Sequence, residues 1–169
     1  MVRIDMLEVP GLNPLYLSSH PLDQVKLEAE FSEKITEFIH ALQERMIKTV
    51  TLLLPEDETD LIAKYRAADL GVLHYPLENF SIPERMDSFD RLMEEIIAIL
   101  AEESVLVHCR TGCGRTAMVA AGVLIKRGMR APQAIHQVHL ARPSSRPTVN
   151  QIQFLREYRS SLDGGELGA

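Results

Sequence analysis

The chain predicts an α/β fold: a central, mainly parallel sheet of four to five strands with helices on both faces. Three observations carry this. Short apolar runs at 48–54, 72–75 and 104–108 alternate with longer segments whose apolar residues recur at helical spacing. Turn residues (Gly71, Pro76, Gly128, Pro143) punctuate the boundaries between them. The chain has 169 residues, of which 46% are hydrophobic, enough for one domain, 1–169, with its own core.

In chain order, residues 5–18 are apolar but broken by Pro10, Gly11 and Pro14, and read as one or two short strands joined by a turn. Residues 32–46 form a helix with Ser32 as its N-cap and Ile35, Phe38, Ile39, Leu42 and Met46 on one face. The run 48–54 is a buried strand, followed by an acidic turn over 55–60. Residues 61–70 are helical and stop at Gly71, and 72–75 is a second buried strand. A loop over 76–83 leads into a long helix, 84–101, with Met86, Phe89, Leu92, Met93, Ile96, Ile97 and Leu100 inward. Strand 104–108 feeds a tight loop, then a helix rich in small residues (Ala117, Ala120, Ala121, Gly122) that suits close packing. Pro132 opens another helix, which ends near Arg142-Pro143, and 148–161 is the last. The tail 163–169 is Gly-rich and expected to fray.

The net charge of −6 argues against a general nucleic-acid binder. Two cysteines four residues apart are no disulfide framework, and free thiols suit the cytoplasm. The N-terminus does not read as a signal peptide, and no apolar run is long enough to span a bilayer, so no membrane partner is expected.

The chemistry concentrates in Val105-Leu106-Val107-His108-Cys109-Arg110-Thr111-Gly112-Cys113-Gly114-Arg115-Thr116. A strand, a short glycine-containing loop and a helix N-terminus make an anion cradle. Backbone N–H groups turn inward and the helix dipole points at the same spot. Cys109 opens the loop in a field that favours its thiolate. Arg115 closes it with a planar fork that fits two phosphate oxygens. A thiolate beside a phosphate site is a nucleophile for phosphoryl transfer.

The stretch from His108 to Thr116 resembles the His-Cys-(five residues)-Arg-Ser/Thr signature of cysteine-dependent phosphatases, and the short chain is similar to the small dual-specificity group. The resemblance implies a two-step reaction without metal or cofactor. Cys109 attacks phosphorus to form a phosphocysteine, which water then hydrolyses. The amides of Arg110, Thr111, Gly112, Cys113 and Gly114 together with Arg115 hold the equatorial oxygens. Thr116 donates to the departing sulfur, and His108 orients the loop. Gln151, after the Arg142-Pro143 segment, is either the residue that orients the hydrolytic water or an exposed first-turn residue. Cys113 is either a redox partner for Cys109 or a small filler.

Relatives carry a general acid in a frame Pro-Ile-x-Asp-x-x-x-Pro. Here the frame reads Pro76-Leu77-Glu78-Asn79-Phe80-Ser81-Ile82-Pro83, with Asn79 where aspartate is expected. Four readings stay open: Glu78 serves as the acid; Asp57 or Glu58 serves; the substrate has a good leaving group and needs little acid; or Asn79 is an engineered change that traps substrate. Asp57 and Glu58 also read as a solvated turn or as a partner for Arg115. The expected partner is a phosphorylated protein or peptide carrying phosphotyrosine and, in a shallow pocket, phosphoserine or phosphothreonine. RNA 5′-triphosphates and lipid or small phosphates are alternatives within the resemblance. A rhodanese-like sulfurtransferase and a phosphate-binding pseudophosphatase are alternatives outside it.

Overall fold

The computed structural model describes residues 2–55 and 57–164. Among these residues five strands form one sheet: β1 (Ile4–Leu7), β2 (Leu15–Ser18), β3 (Ile47–Leu52), β4 (Gly71–His74) and β5 (Ser104–His108). Their spatial order is β1-β2-β5-β3-β4, antiparallel for the β1–β2 hairpin and parallel elsewhere. Among the described residues six α-helices flank it: α1 (Phe31–Glu44), α2 (Thr59–Ala67), α3 (Met86–Leu100), α4 (Arg115–Lys126), α5 (Ala131–Ala141) and α6 (Val149–Leu162).

Alternation along β5 sets the two layers. Val105 and Val107 enter a core shared with α3, α4, α5 and α6, while Leu106 faces a second core with α1 and α2. α4 is the central helix: every residue from Arg115 to Ile125 is buried. Its small side chains are required by proximity. A Cβ on Gly122 would lie 2.6 Å from the Phe89 ring and 2.8 Å from the Met93 sulfur. The helix stops at Gly128, whose φ of 106 suits glycine.

The structure departs from the sequence reading at β4 and at the start of α1. β4 is an edge strand and only half-buried, because no strand follows it in the sheet order. Ser32 is not an N-cap: α1 begins at Phe31, directly after a 3-10 turn at Glu28–Glu30, and the Ser32 carbonyl accepts from the Thr36 hydroxyl one turn on. Of the acidic turn 55–60, Glu56 lies outside the described residues. Of the tail 163–169, residues 165–169 do too, while Asp163 caps α6 and pairs with Arg159 at 2.9 Å. Among the described residues no helix is long and apolar enough to cross a membrane.

β5 is the middle strand, flanked by β2 and β3. The segments after β2, β3, β4 and β5 therefore leave the sheet at one rim, where open α/β sheets place their sites.

Candidate active site

Cys109 follows β5 and is 1% exposed. Its Sγ accepts hydrogen bonds from the Gly112 N–H at 3.2 Å and the Thr116 hydroxyl at 3.1 Å. Two donors aimed at one sulfur are what a thiolate needs. Gly112 is irreplaceable at its place. Its φ is 72, and an added Cβ would lie 2.3 Å from the Ser18 carbonyl oxygen. Arg115 is the first residue of α4, buried, and its Nη1 donates to the Leu77 carbonyl at 2.8 Å. The nucleophile, the fork and the 76–83 loop thus meet at one point.

The loop is shaped from outside. Buried Arg142 donates from Nε to the Gly112 carbonyl at 2.9 Å and from Nη2 to the Thr111 carbonyl at 3.3 Å, while its Nη1 reaches Asp5 in β1 at 2.7 Å. The Arg146 N–H donates to the Cys113 carbonyl at 2.8 Å, and the His20 N–H to the Arg110 carbonyl at 2.9 Å. With these carbonyls held outward, the loop amides are left to face inward. Sequence reasoning missed Asp5, His20 and this task of Arg142. An acid in the middle of a first strand was the available signal, since a buried carboxylate requires a partner.

Two histidines back the loop. His108 Nδ1 faces the Cys109 carbonyl at 3.3 Å, so it carries the proton, and Nε2 accepts from the Tyr65 hydroxyl at 3.0 Å. His20 Nδ1 accepts from the Leu22 N–H at 3.0 Å, leaving Nε2 to donate to Glu58 at 3.3 Å. Both rings are neutral. Burial pushes His108 down to about 4, and burial, then His108 and Arg110, push His20 down to about 3. Free imidazoles in the unfolded chain take up protons below about 6.5. Between there and about 4 the unfolded chain therefore binds more protons, and stability falls as pH falls. We expect the melting temperature to drop progressively from about pH 7 to about pH 4.5, and His108→Asn, with one buried titrating group fewer, to flatten that slope. An equal slope in the variant would refute this origin.

The remaining predicted residues are placed as follows. Glu58 faces Arg110 at 3.3 Å as well as His20, behind the loop. Asp57 is exposed and accepts from the Thr59 N–H and hydroxyl at the start of α2. Glu78 and Asn79 are exposed, in a turn closed by the Ser81 N–H on the Glu78 carbonyl at 3.1 Å. Phe80 occupies the third position of that turn at φ 62, which costs a non-glycine residue ~1–3 kcal/mol. Gln151 is fully buried, which removes the reading of an exposed first-turn residue. It completes a capping box with Thr148, its Nε2 donates to the Ser81 carbonyl at 3.0 Å, and a Cβ on Gly114 would come within 3.2 Å of its Oε1. Both cysteines are free, and the Cys113 thiol is directed at the Thr111 carbonyl at 3.6 Å.

A buried thiol ringed by donors, at the start of a loop closed by a buried guanidinium on a helix N-terminus, defines a cysteine-type phosphate loop. A family model described as "Polymorphic toxin system, DSP-PTPase phosphatase" matches residues 27–129. Cyclin-dependent kinase inhibitor 3 of Rattus norvegicus is 30% identical over 114 residues, covering 60% of this chain and 53% of that protein. A probable protein tyrosine phosphatase type IVA B of Dictyostelium discoideum is 38% identical over 64 residues, 37% of each chain. The chain thus spans about half the length, or less, of these curated relatives. The crystal structure of kinase associated phosphatase, with serine substituted for its catalytic site cysteine, matches with a TM-score of 0.80 at 22% identity, over 96% of this chain and 97% of that one. The chain belongs to the DSP-PTPase phosphatase family, within the cysteine-dependent protein tyrosine phosphatases.

Proposed function

We propose that this chain is a protein phosphatase that hydrolyses phosphotyrosine, and more slowly phosphoserine and phosphothreonine, through a phosphocysteine on Cys109. The observation that carries the reading is the Cys109 sulfur under two donors, with Arg115 pinned at the far end of the same loop. Cys109 Sγ attacks phosphorus and the ester oxygen leaves. Arg115 and the amides of residues 110–114 stabilise the charge on the three equatorial oxygens. Water then attacks the phosphocysteine, and the sulfur departs as a thiolate that Thr116 stabilises by hydrogen bonding. A cleft of about 740 Å³ borders the loop at Thr111 and Cys113 and runs to Arg3, Lys34 and Glu37. Its size suits residues flanking a phosphorylated side chain better than a small phosphate alone. We also place the activity in the cytoplasm, where both thiols stay reduced.

Asp57 and Glu58 are engaged elsewhere, which leaves Glu78, in the loop that Arg115 holds, as the acid of this chain, assisted by the good leaving group of an aryl ester. The test is hydrolysis of para-nitrophenyl phosphate against pH for the chain, Glu78→Gln and Asn79→Asp. General acid help is worth ~10²–10⁴-fold. With Glu78 supplying the proton, Asn79→Asp should change turnover little, and a tens-fold acceleration with a new decline on the basic side would put the acid at position 79 instead. Glu78→Gln should slow turnover. Absence of turnover in both the chain and the aspartate variant, with phosphate still bound, would leave a phosphate-binding protein instead.

A further inference from the structure

We infer that the cavity between α5 and the start of α6 is a second binding site, which takes a small uncharged aryl compound through one hydrogen-bonding oxygen and is coupled to the phosphate loop. Its volume is about 300 Å³, the scale of a small-molecule site rather than of a protein interface. Ala117, Ile135, Val138, Pro147 and Ile152 make its walls apolar. Among the described residues no Asp, Glu, Lys or Arg lines it, and its polar side chains are His136, His139 and Ser145. The two histidines are exposed, whereas Ser145 is 6% exposed and its hydroxyl has no hydrogen-bond partner among the described residues. A hydroxyl that is both buried and unpaired is destabilising until something bonds to it. An uncharged body with one oxygen suits the apolar walls and the hydroxyl together, while a charged one would lose its hydration without an ionic partner. A ring system supplies that apolar area in rigid form, with little conformational freedom to lose.

The cavity shares its walls with the supports of the phosphate loop. Ala117 belongs to the first turn of α4, just after Arg115. Ser145 and Pro147 flank Arg146, whose N–H holds the Cys113 carbonyl at 2.8 Å. The Ser145 N–H donates to the Arg142 carbonyl at 2.9 Å, and the Arg142 side chain in turn holds the Gly112 and Thr111 carbonyls. A compound seated against Ser145 therefore favours the arrangement in which segment 142–147 braces the loop. A ligand that binds one arrangement better shifts the protein toward it, and the effect is reciprocal: phosphate and the compound tighten each other by the same factor.

The test titrates the chain with 1-naphthol, and with 1-methylnaphthalene as a probe of similar shape that lacks the oxygen. The chain contains no tryptophan, so naphthalene fluorescence is read against a dark background. The proteins are the unsubstituted chain, Ser145→Ala and Ile135→Phe, each checked for an unchanged fold by its melting curve. Ser145→Ala removes a buried unpaired hydroxyl and should melt no lower. It should weaken 1-naphthol about tenfold and leave 1-methylnaphthalene within ~2-fold, whereas Ile135→Phe, which fills the cavity, should weaken both. Saturating inorganic phosphate should tighten 1-naphthol about fivefold. Absence of 1-naphthol binding, equal weakening of both probes by Ser145→Ala, or no effect of phosphate would overturn the inference. So would displacement of 1-naphthol by phosphate, which would put the probe in the phosphate site. The two naphthalene titrations need no turnover, so a chain that hydrolyses no ester yet keeps the Ser145-dependent preference would sink the catalytic reading and leave this site standing.

Discussion

Cys109→Ser should abolish hydrolysis of every phosphate ester this chain accepts, by on the order of 10⁴-fold at least, while still binding phosphate. A serine hydroxyl is smaller than a thiol and keeps its proton at neutral pH, so it fits the slot but supplies no anionic nucleophile. The groups that hold phosphate remain: Arg115 is anchored by Leu77, and the loop is shaped by Arg142, Arg146 and His20 rather than by the sulfur. Rapid quenching of the unsubstituted chain with a labelled phosphoester should trap one thiol-linked phosphate per chain, stable to alkali and absent from the serine variant. Substantial turnover by Cys109→Ser, or no trapped phosphate on the unsubstituted chain while it turns over, would refute the covalent mechanism.

The second large effect is expected from Arg115→Lys. Lysine keeps the charge and loses the fork, and a buried ammonium cannot grip two oxygens in one plane. Removing one such transition-state contact typically costs ~10²–10³-fold in kcat. Arg115 also holds the 76–83 loop through the Leu77 carbonyl. Two readouts should therefore move together: kcat falls by roughly that factor, and amide exchange at residues 78–81 becomes faster. A fall in kcat with unchanged exchange would mean that the loop is held by Gln151 alone.

Much of this site could be read in the sequence because its parts are contiguous. The step from Cys109 to Arg115, between an apolar run and a small-residue helix, is a local pattern, and local patterns report local geometry. The helices α3, α4 and α6 followed from periodicity for the same reason. What escaped detection depends on distant partners. The edge position of β4 is a property of strand order, and Val72 and Leu73 are apolar enough to suit a buried strand. The α1 cap failed because a preceding 3-10 turn already supplied the helix start. Gln151 could not be placed from spacing, since its burial depends on Ser81, 70 positions earlier. Glu58 reads as a solvated turn until His20 and Arg110 are brought beside it.

The Asp5–Arg142 bond carries a consequence for how this loop comes into being. Its partners are 137 positions apart and both buried, so it closes nearly the whole chain into a ring, at the entropic cost of a long closure. The residues that perform the chemistry are neighbours in sequence, yet the groups that shape them arrive from the first strand and from the approach to the last helix. A fragment cut to the family-matched stretch, 27–129, would own the nucleophile and the fork without the brace that shapes the turn between them. The phosphate loop is in that sense a late product of folding, assembled only once the most widely separated parts of the chain have met.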